Sequence, residues 1–330
     1  MTDVEKTQDQ AAVSKQHIKE AAEWYAALAD ETLAADIKPQ WQHWISASSA
    51  HGEAWARIES VAKRFDQLRD DGIGTRAPAS ETLHSLQERR VTRRRTLKTM
   101  LVLAGIGSAT WLSLSESPYL QMADYVSAKG EIKELALSDG SKAWLNTSSH
   151  MDVHYTTEQR LIHLLSGDIF IDTAADSNRP LIVETSHGRL RALGTRFSVA
   201  EEGGHTVLAV FEGRVEVDIG QGLNRIIDTG EQISFSKETW GVLRRADPAR
   251  QAWVNHVLLA NDIPLVDLLS QLERYRFGYI YVEPEVAQMR VMGSFPLDEP
   301  DVALEMLAAS LDIRIDKPIP WWVHIRSKNK

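Results

Sequence analysis

Two adjacent residues in this 330-residue chain are placed to do covalent chemistry on the chain itself: Gly194 and Thr195, in Leu193-Gly194-Thr195-Arg196-Phe197-Ser198-Val199. Glycine admits backbone conformations that other residues resist. A threonine hydroxyl forced against the preceding carbonyl can attack it. The acyl group then moves from nitrogen to oxygen, and hydrolysis of the resulting ester cuts the chain between the two residues. The same dipeptide also fits a turn or bulge glycine followed by a strand former. Both readings stand at this level.

Other chemistry is thinly represented. His150, His154, His163, His187 and His205 fall within one stretch. Two of them could bind a metal in a cupin-like barrel, but the tight His-x-His spacing is missing and no glutamate is set with them. Histidines at strand ends fit equally well. The absence of cysteine excludes disulfides, thiolate metal sites and cysteine nucleophiles. No glycine-rich phosphate loop, HExxH or Ser-His-Asp order is present. The expectation is a protein without cofactor or metal, and without enzyme activity beyond self-cleavage. Residues 1–98 hold 15 basic and 15 acidic side chains, so the net charge of −9 resides beyond them. An acidic bulk argues against nucleic-acid binding.

The elements around Gly194 read as all-β. From 128 to about 240, short apolar runs flank Ser138-Asp139-Gly140-Ser141, Ser166-Gly167-Asp168 and Glu212-Gly213-Arg214. Gly-centred turns between β-branched runs signal hairpins. Nine to twelve strands at this spacing predict a sandwich, jelly roll or β-roll over 125–245.

Ahead of this region lies a different signal. Arg89, Arg90, Arg93, Arg94, Arg95 and Lys98 precede Thr99–Ser115, which carries no charge. These 17 residues would span about 26 Å as a helix, slightly under a ~30 Å hydrocarbon core. Lys98 and Arg95 can snorkel, and Trp111 and Tyr119 suit the far interface. The predicted transmembrane helix is 99–116, after a basic linker at 76–98. The positive-inside rule puts the N-terminus in the cytoplasm and the C-terminus in the periplasm of a single-pass inner-membrane protein. A buried amphipathic helix or a signal peptide would be the other uses of such a run. Thr92-Arg93-Arg94-Arg95-Thr96-Leu97-Lys98 also resembles a twin-arginine export signal, with Arg93, Arg94 and Lys98 at its key positions and Thr96 where Phe is commonest. The arginines serve equally as a plain helix anchor.

Residues 1–75 read as a small all-α domain. Helices are predicted over 14–29 with Ser14 as N-cap, over 39–47 and over 49–68. Three short helices bury little, so the unit is marginal alone. Trp24, Trp44 and Trp55 are either its core or anchors for a partner. At 258–318 a small α+β unit is predicted, with helices on Leu265, Leu268, Leu269 and Leu272 and on 301–307. Strands follow at 279–282, 291–295 and 313–315. That leucine face is either core or a surface for another protein, and exposed strand edges there invite strand addition.

Together these parts resemble the FecR family of transmembrane anti-sigma regulators over nearly the whole chain. The resemblance rests on Ala22-x-Trp24, Trp44 and His51-x-x-Ala54-Trp55. It continues in Leu137-x-Asp139-Gly140-Ser141-x-x-x-Leu145-Asn146, Leu164-x-x-Gly167-Asp168, Arg179-Pro180 and Leu193-Gly194-Thr195-x-Phe197-x-Val199. Leu181, where the family often has Phe, and Leu165-Ser166 depart from the pattern. The tail, with Gly293-Ser294-Phe295 ahead of a helix ending at Leu307, is similar to the short domain at the N-termini of secretins and TonB-dependent receptors. The resemblance implies an extracytoplasmic-function (ECF) sigma factor bound in the cytoplasm around Trp24, Trp44 and Trp55. It implies contact of the tail with the signalling domain of an outer-membrane TonB-dependent transporter, often one for ferric siderophores. Cleavage at Gly194–Thr195, followed by periplasmic and intramembrane proteases, belongs to the same picture. A membrane-anchored protein that binds an envelope component, or an anchored cupin-like metal enzyme, are the alternative functions.

Overall fold

Ser14 opens the first helix as its residue type predicts. Its Oγ accepts the N–H of His17 at 3.2 Å, and His17 Nδ1 accepts the N–H of Ser14 at 3.3 Å. Two donors that a helix start would leave orphaned are thereby satisfied. The computed structural model describes residues 13–29, 34–70, 123–176, 178–220 and 223–329. Helix α1 (Lys15–Leu28) is followed by α2 (Ala34–Ala47) and α3 (Ser49–Asp70). The sequence reading started α2 at Pro39; the helix starts at Ala34 and carries Pro39 inside it, at the cost of one backbone hydrogen bond. Ile18, Ala21 and Ala22 share a core with Ala54, Ile58 and Ala62. The alanines recur at helical spacing, so each helix turns a small-residue face into that core. Among the described residues no helix is long and apolar enough to cross a membrane. Residues 99–116, with Arg93, Arg94 and Lys98 before them, lie outside the described residues.

The middle region is all-β. Its strands are β1 (Tyr125–Val126), β2 (Lys133–Ala136), β3 (Lys142–Leu145), β4 (His150–Tyr155), β5 (Arg160–Ser166), β6 (Asp168–Asp172) and β7 (Leu181–Glu184). They continue as β8 (Arg189–Ala192), β9 (Arg196–Glu202), β10 (His205–Glu212), β11 (Arg214–Asp218), β12 (Asn224–Asp228), β13 (Glu231–Phe235) and β14 (Arg244–Arg245). One seven-stranded sheet has the order β1-β4-β5-β7-β8-β11-β12 and the other β14-β13-β10-β9-β6-β3-β2. Met151, Ile162 and Leu190 of the first meet Leu145, Ile169 and Phe197 of the second, all fully buried. Of the architectures the sequence left open, this is a two-sheet sandwich. Inside it Arg160 donates to Asp139 at 2.6 Å, and Ser141 Oγ donates to the same carboxylate oxygen, also at 2.6 Å. Burial opposes that charge, but these hydrogen bonds hold the Asp139 carboxyl below the ordinary carboxylate value.

Strand β6 is buried on both faces. Ile169 and Ile171 point into the sandwich. Phe170 faces the other way, with ring centroids 5.7 Å from Trp144 and 5.9 Å from Phe211. A C-terminal unit covers these rings. It comprises β15 (Val257–Pro264), α4 (Leu265–Glu273), β16 (Tyr279–Val282), β17 (Arg290–Pro296), α5 (Pro300–Ser310), β18 (Ile313–Ile319) and β19 (Trp322–Ser327). Strands β15 and β17 pair antiparallel; β19 lies between β16 and β18. The unit thus runs to Ser327, one strand past the boundary read from sequence. Leu265, Leu268, Leu269 and Leu272 are at most 2% exposed and close its core with Leu304 and Leu307. The expectation that these leucines meet a receptor is corrected accordingly: an apolar helix face packed against its own sheets offers no surface.

Polar groups lock the C-terminal unit to the sandwich. Tyr275 donates to Asn146 Oδ1 at 2.5 Å, and Asn146 Nδ2 donates to Asp168 Oδ2 at 3.2 Å. Thr147 Oγ1 donates to the Arg274 carbonyl at 2.9 Å. Burial pushes the Asp168 carboxyl up to about 6, against the pull of Arg274 and Arg250. The same burial pushes the Tyr275 hydroxyl up to about 12. Between the ordinary value of 3.8 and about 6, the folded chain keeps a proton on Asp168 that the unfolded chain has released. Stability therefore falls as pH rises through that window and is flat above it, with a total of about 3 kcal/mol. Asp168→Asn should remove this part of the slope. Urea midpoints at pH 4.5 and 7 check it, and an unchanged difference between the two pH values in the variant would refute it.

Candidate functional site

The connection from β8 to β9 carries the dipeptide that the sequence singled out. Gly194 has φ +77°, in the left-handed region, and a Cβ added there would meet nothing within 4 Å. Gly213, between β10 and β11, also has φ +77°. A Cβ on it would lie 2.1 Å from the Gly194 carbonyl oxygen and 2.9 Å from Thr195 Cγ2. Two connections that cross from one sheet to the other therefore meet backbone to backbone, and only glycine at 213 permits it. The Leu193 N–H donates to the Arg214 carbonyl at 3.1 Å and holds them in register.

Thr195 is 3% exposed, and its Oγ1 is buried with no hydrogen-bond partner among the described residues. Such a hydroxyl forgoes about 1–3 kcal/mol of hydrogen bonding. This hydroxyl, on the residue that follows the Gly194 carbonyl in the chain, is therefore free of competing hydrogen bonds. The peptide itself is clamped. The Thr195 N–H donates to Thr173 Oγ1 at 2.7 Å, while the Thr173 N–H and Oγ1–H donate to the Thr195 carbonyl at 3.0 and 3.1 Å. Neither a carboxylate nor an imidazole engages Thr195 Oγ1. The arrangement suits a slow, single-turnover intramolecular addition better than turnover of an external substrate.

A second cluster is aromatic. Trp24, Trp44 and Trp55 are each half-buried and come together on α1–α3. Ring centroids lie 6.4 Å apart for Trp24–Trp44, 5.9 Å for Tyr25–Trp55 and 4.9 Å for Trp41–Trp55. Trp44 stacks on His51 at 4.5 Å and donates through Nε1 to Glu20 at 2.9 Å. The three helices do not complete this face alone. Trp321 reaches Tyr25 at 5.4 Å, Phe277 reaches Phe65 at 6.2 Å, and Trp321 and Trp322 are 3% and 1% exposed within the shared core. Residues up to Gln67 and from Asp124 onward form one compact unit in this way. Sequence places Trp41 on the second helix without marking it as part of this cluster, and it does not flag Trp321 and Trp322; the Trp-Trp pair after Pro320 was the available signal.

The histidines form no metal site. The His154 and His163 rings lie 5.7 Å apart on neighbouring strands and His163 pairs with Glu184 at 3.4 Å, while His187 pairs with Glu201 at 3.2 Å elsewhere. Among the described residues no group of three or more His, Asp or Glu is arranged to hold a metal.

Comparison with known proteins adds to this geometry. Residues 123–216 match the family model described as FecR protein, and residues 19–61 match a domain of unknown function, DUF4880. Two crystal structures of a candidate anti-sigma factor from Parabacteroides distasonis ATCC 8503, at 1.65 and 2.50 Å resolution, are similar to this chain at 24% identity and a TM-score of 0.51. They cover 62% of this chain and 98% and 97% of their own. At that identity the likeness concerns the fold. No curated protein matches the chain.

The two glycines should respond differently to substitution. Gly194→Ala meets only the left-handed penalty of ~1–2 kcal/mol. Gly213→Ala adds an overpacking cost of ~1–3 kcal/mol against a backbone oxygen. Denaturant midpoints should rank wild type above Gly194→Ala above Gly213→Ala. Equal losses would contradict the close approach described here.

Proposed function

Because residues 123–216 match the FecR protein model and residues 19–61 match DUF4880, we propose that the chain is a FecR-family protein, a single-pass inner-membrane regulator of an ECF sigma factor. The observation that carries the proposal is the unfinished aromatic face of α1–α3. In the structure Trp321 and its neighbours finish it. A membrane span at 99–116 would put the helices in the cytoplasm and Trp321 in the periplasm. A 5.4 Å ring contact cannot bridge ~30 Å of hydrocarbon. In the inserted chain the face must therefore be vacated, and half-buried tryptophans need another apolar cover. The sigma factor is that cover.

The outer part receives the signal. The C-terminal unit is similar to the short N-terminal domain of secretins and TonB-dependent receptors. Its β16 and β18 are the edges of a three-stranded sheet. The signalling domain of a TonB-dependent transporter, for ferric siderophores in this reading, pairs with an edge of this kind by strand addition. Self-cleavage prepares the release. Thr195 Oγ1 attacks the Gly194 carbonyl carbon, the C–N bond opens, and water hydrolyses the ester. Periplasmic and intramembrane proteases then free the cytoplasmic fragment with its sigma factor. The energy needed is that of shifting a two-state equilibrium by a few kcal/mol.

Two experiments test this. Full-length protein purified in detergent from its own cells should retain a sigma factor. Trp24→Ala or Trp55→Ala should weaken that capture about tenfold or more, since a hot-spot tryptophan carries at least ~2 kcal/mol. Absence of a sigma factor from the wild-type preparation would sink the regulatory role. The same preparation should contain a fragment whose first residue is Thr195, lost in Thr195→Ala and kept in Thr195→Ser. A chain intact in wild type would remove self-cleavage and leave the regulator.

A further inference from the structure

We propose that Thr173 is the acid that protonates the departing nitrogen when the Gly194–Thr195 bond breaks; the inference rests on the self-cleavage reading above. Strands β6 and β9 pair with Asp172 opposite Arg196, so Thr173 and Thr195 are the next pair along the ladder. One ladder bond is ordinary: the Thr173 N–H donates to the Thr195 carbonyl at 3.0 Å. The return bond is not. The Thr195 N–H goes to the Thr173 hydroxyl, at 2.7 Å, and not to the Thr173 carbonyl that a regular antiparallel pair would supply.

The difference matters chemically. A carbonyl only accepts, whereas a hydroxyl accepts or donates. The amide nitrogen of Thr195 is a donor while the peptide is intact. Once Thr195 Oγ1 adds to the Gly194 carbonyl carbon, amide conjugation is lost and the nitrogen becomes basic. It must gain a proton before it can leave. Thr173 Oγ1 lies within hydrogen-bond reach of that nitrogen, with its own proton on the Thr195 carbonyl at 3.1 Å. A rotation about its C–O bond redirects the proton.

The step balances without an outside reagent. The Oγ1–C bond forms and the C–N bond breaks. Thr173 gives its proton to nitrogen and recovers the one that Thr195 Oγ1 loses, directly or through water, which reaches the half-buried Thr173. Hydrolysis of the ester then consumes one water and yields the Gly194 carboxylate and a free Thr195. The same three hydrogen bonds hold the peptide plane before reaction. The Arg196–Asp172 ion pair at 3.6 Å braces the adjacent rung.

The test uses the full chain, synthesised in a cell-free system with detergent micelles and followed by pulse–chase and intact mass. Wild type, Thr195→Ala, Thr173→Val and Thr173→Ser are compared. Thr173→Val should slow cleavage on the order of 100-fold, and Thr173→Ser should restore it to within about threefold. Hydroxylamine, which opens esters, should not speed the valine variant, because its block precedes the ester. Cleavage of Thr173→Val at the wild-type rate, with Thr195→Ala intact, overturns the role of Thr173 alone. Equal loss in Thr173→Val and Thr173→Ser also overturns it, since that outcome assigns the effect to the methyl group. An uncleaved wild type overturns both this inference and the cleavage reading.

Discussion

One strand with no exposed face organises the described part of this protein. Strand β6 sends Ile169 and Ile171 into the sandwich and Phe170 out of it. A strand buried on one side could end a domain; a strand buried on both must be covered twice. The second cover is the C-terminal unit, so that unit is no loose appendage. Both ends of β6 then carry chemistry. At its start, Asp168 is drawn into the seam and bonded to Asn146, which bonds Tyr275. Just past its end, Thr173 clamps Thr195. The acid in the seam and the Gly194-Thr195 dipeptide are thus both positioned by β6 and the residue that follows it.

This placement constrains where the C-terminal unit can meet a partner. The C-terminal unit spends its leucine helix face on its own core, and the α4 leucines are as buried as any residue in the sandwich. Besides the edge strands of the β16-β19-β18 sheet and of the β15–β17 pair, the described surface of the unit offers the exposed Met292, Val302 and Met306. Backbone recognition is tolerant of sequence and sensitive to register.

The parts of this arrangement that were legible in the sequence are those encoded locally. Ser14 announces α1 through its hydrogen bond three residues on. Asp139-Gly140 marks the β2–β3 hairpin and alternating apolar runs mark strands, but Glu212-Gly213 and Ser166-Gly167, read as hairpin turns, carry the chain from one sheet to the other. Gly194-Thr195 stood out because both residue types bear on one reaction. The relations that hold Gly194-Thr195 in place join residues remote in sequence. Gly213 matters only because β11 returns beside β8, and Thr173 only because β6 pairs with β9. Nothing within a few residues of Thr173 announces that its hydroxyl replaces a ladder carbonyl. The same blindness explains α4. A leucine stripe reads alike whether it meets its own sheet or another protein, and only the count of surfaces needing cover separates the two. Pro39 misled for a related reason: its residue type marks a helix start, and packing of α1 on α2 and α3 sustains a helix through it.

The aromatic face of α1–α3 closes the argument from the opposite direction. Trp24, Tyr25, Trp41, Trp44 and Trp55 present more ring than three short helices can enclose, and Trp321 and Phe277 supply the remainder. A small helical unit with an apolar face left over is stable only against something. When both ends of the chain lie on one side of a membrane, the tail serves. Once a charge-free run separates them, the tail is out of reach and the face is left to a partner in the same compartment as the helices. The contact between the tail and the helices and the proposed capture of a sigma factor are then two ways of meeting one requirement, and the position of residues 99–116 decides between them.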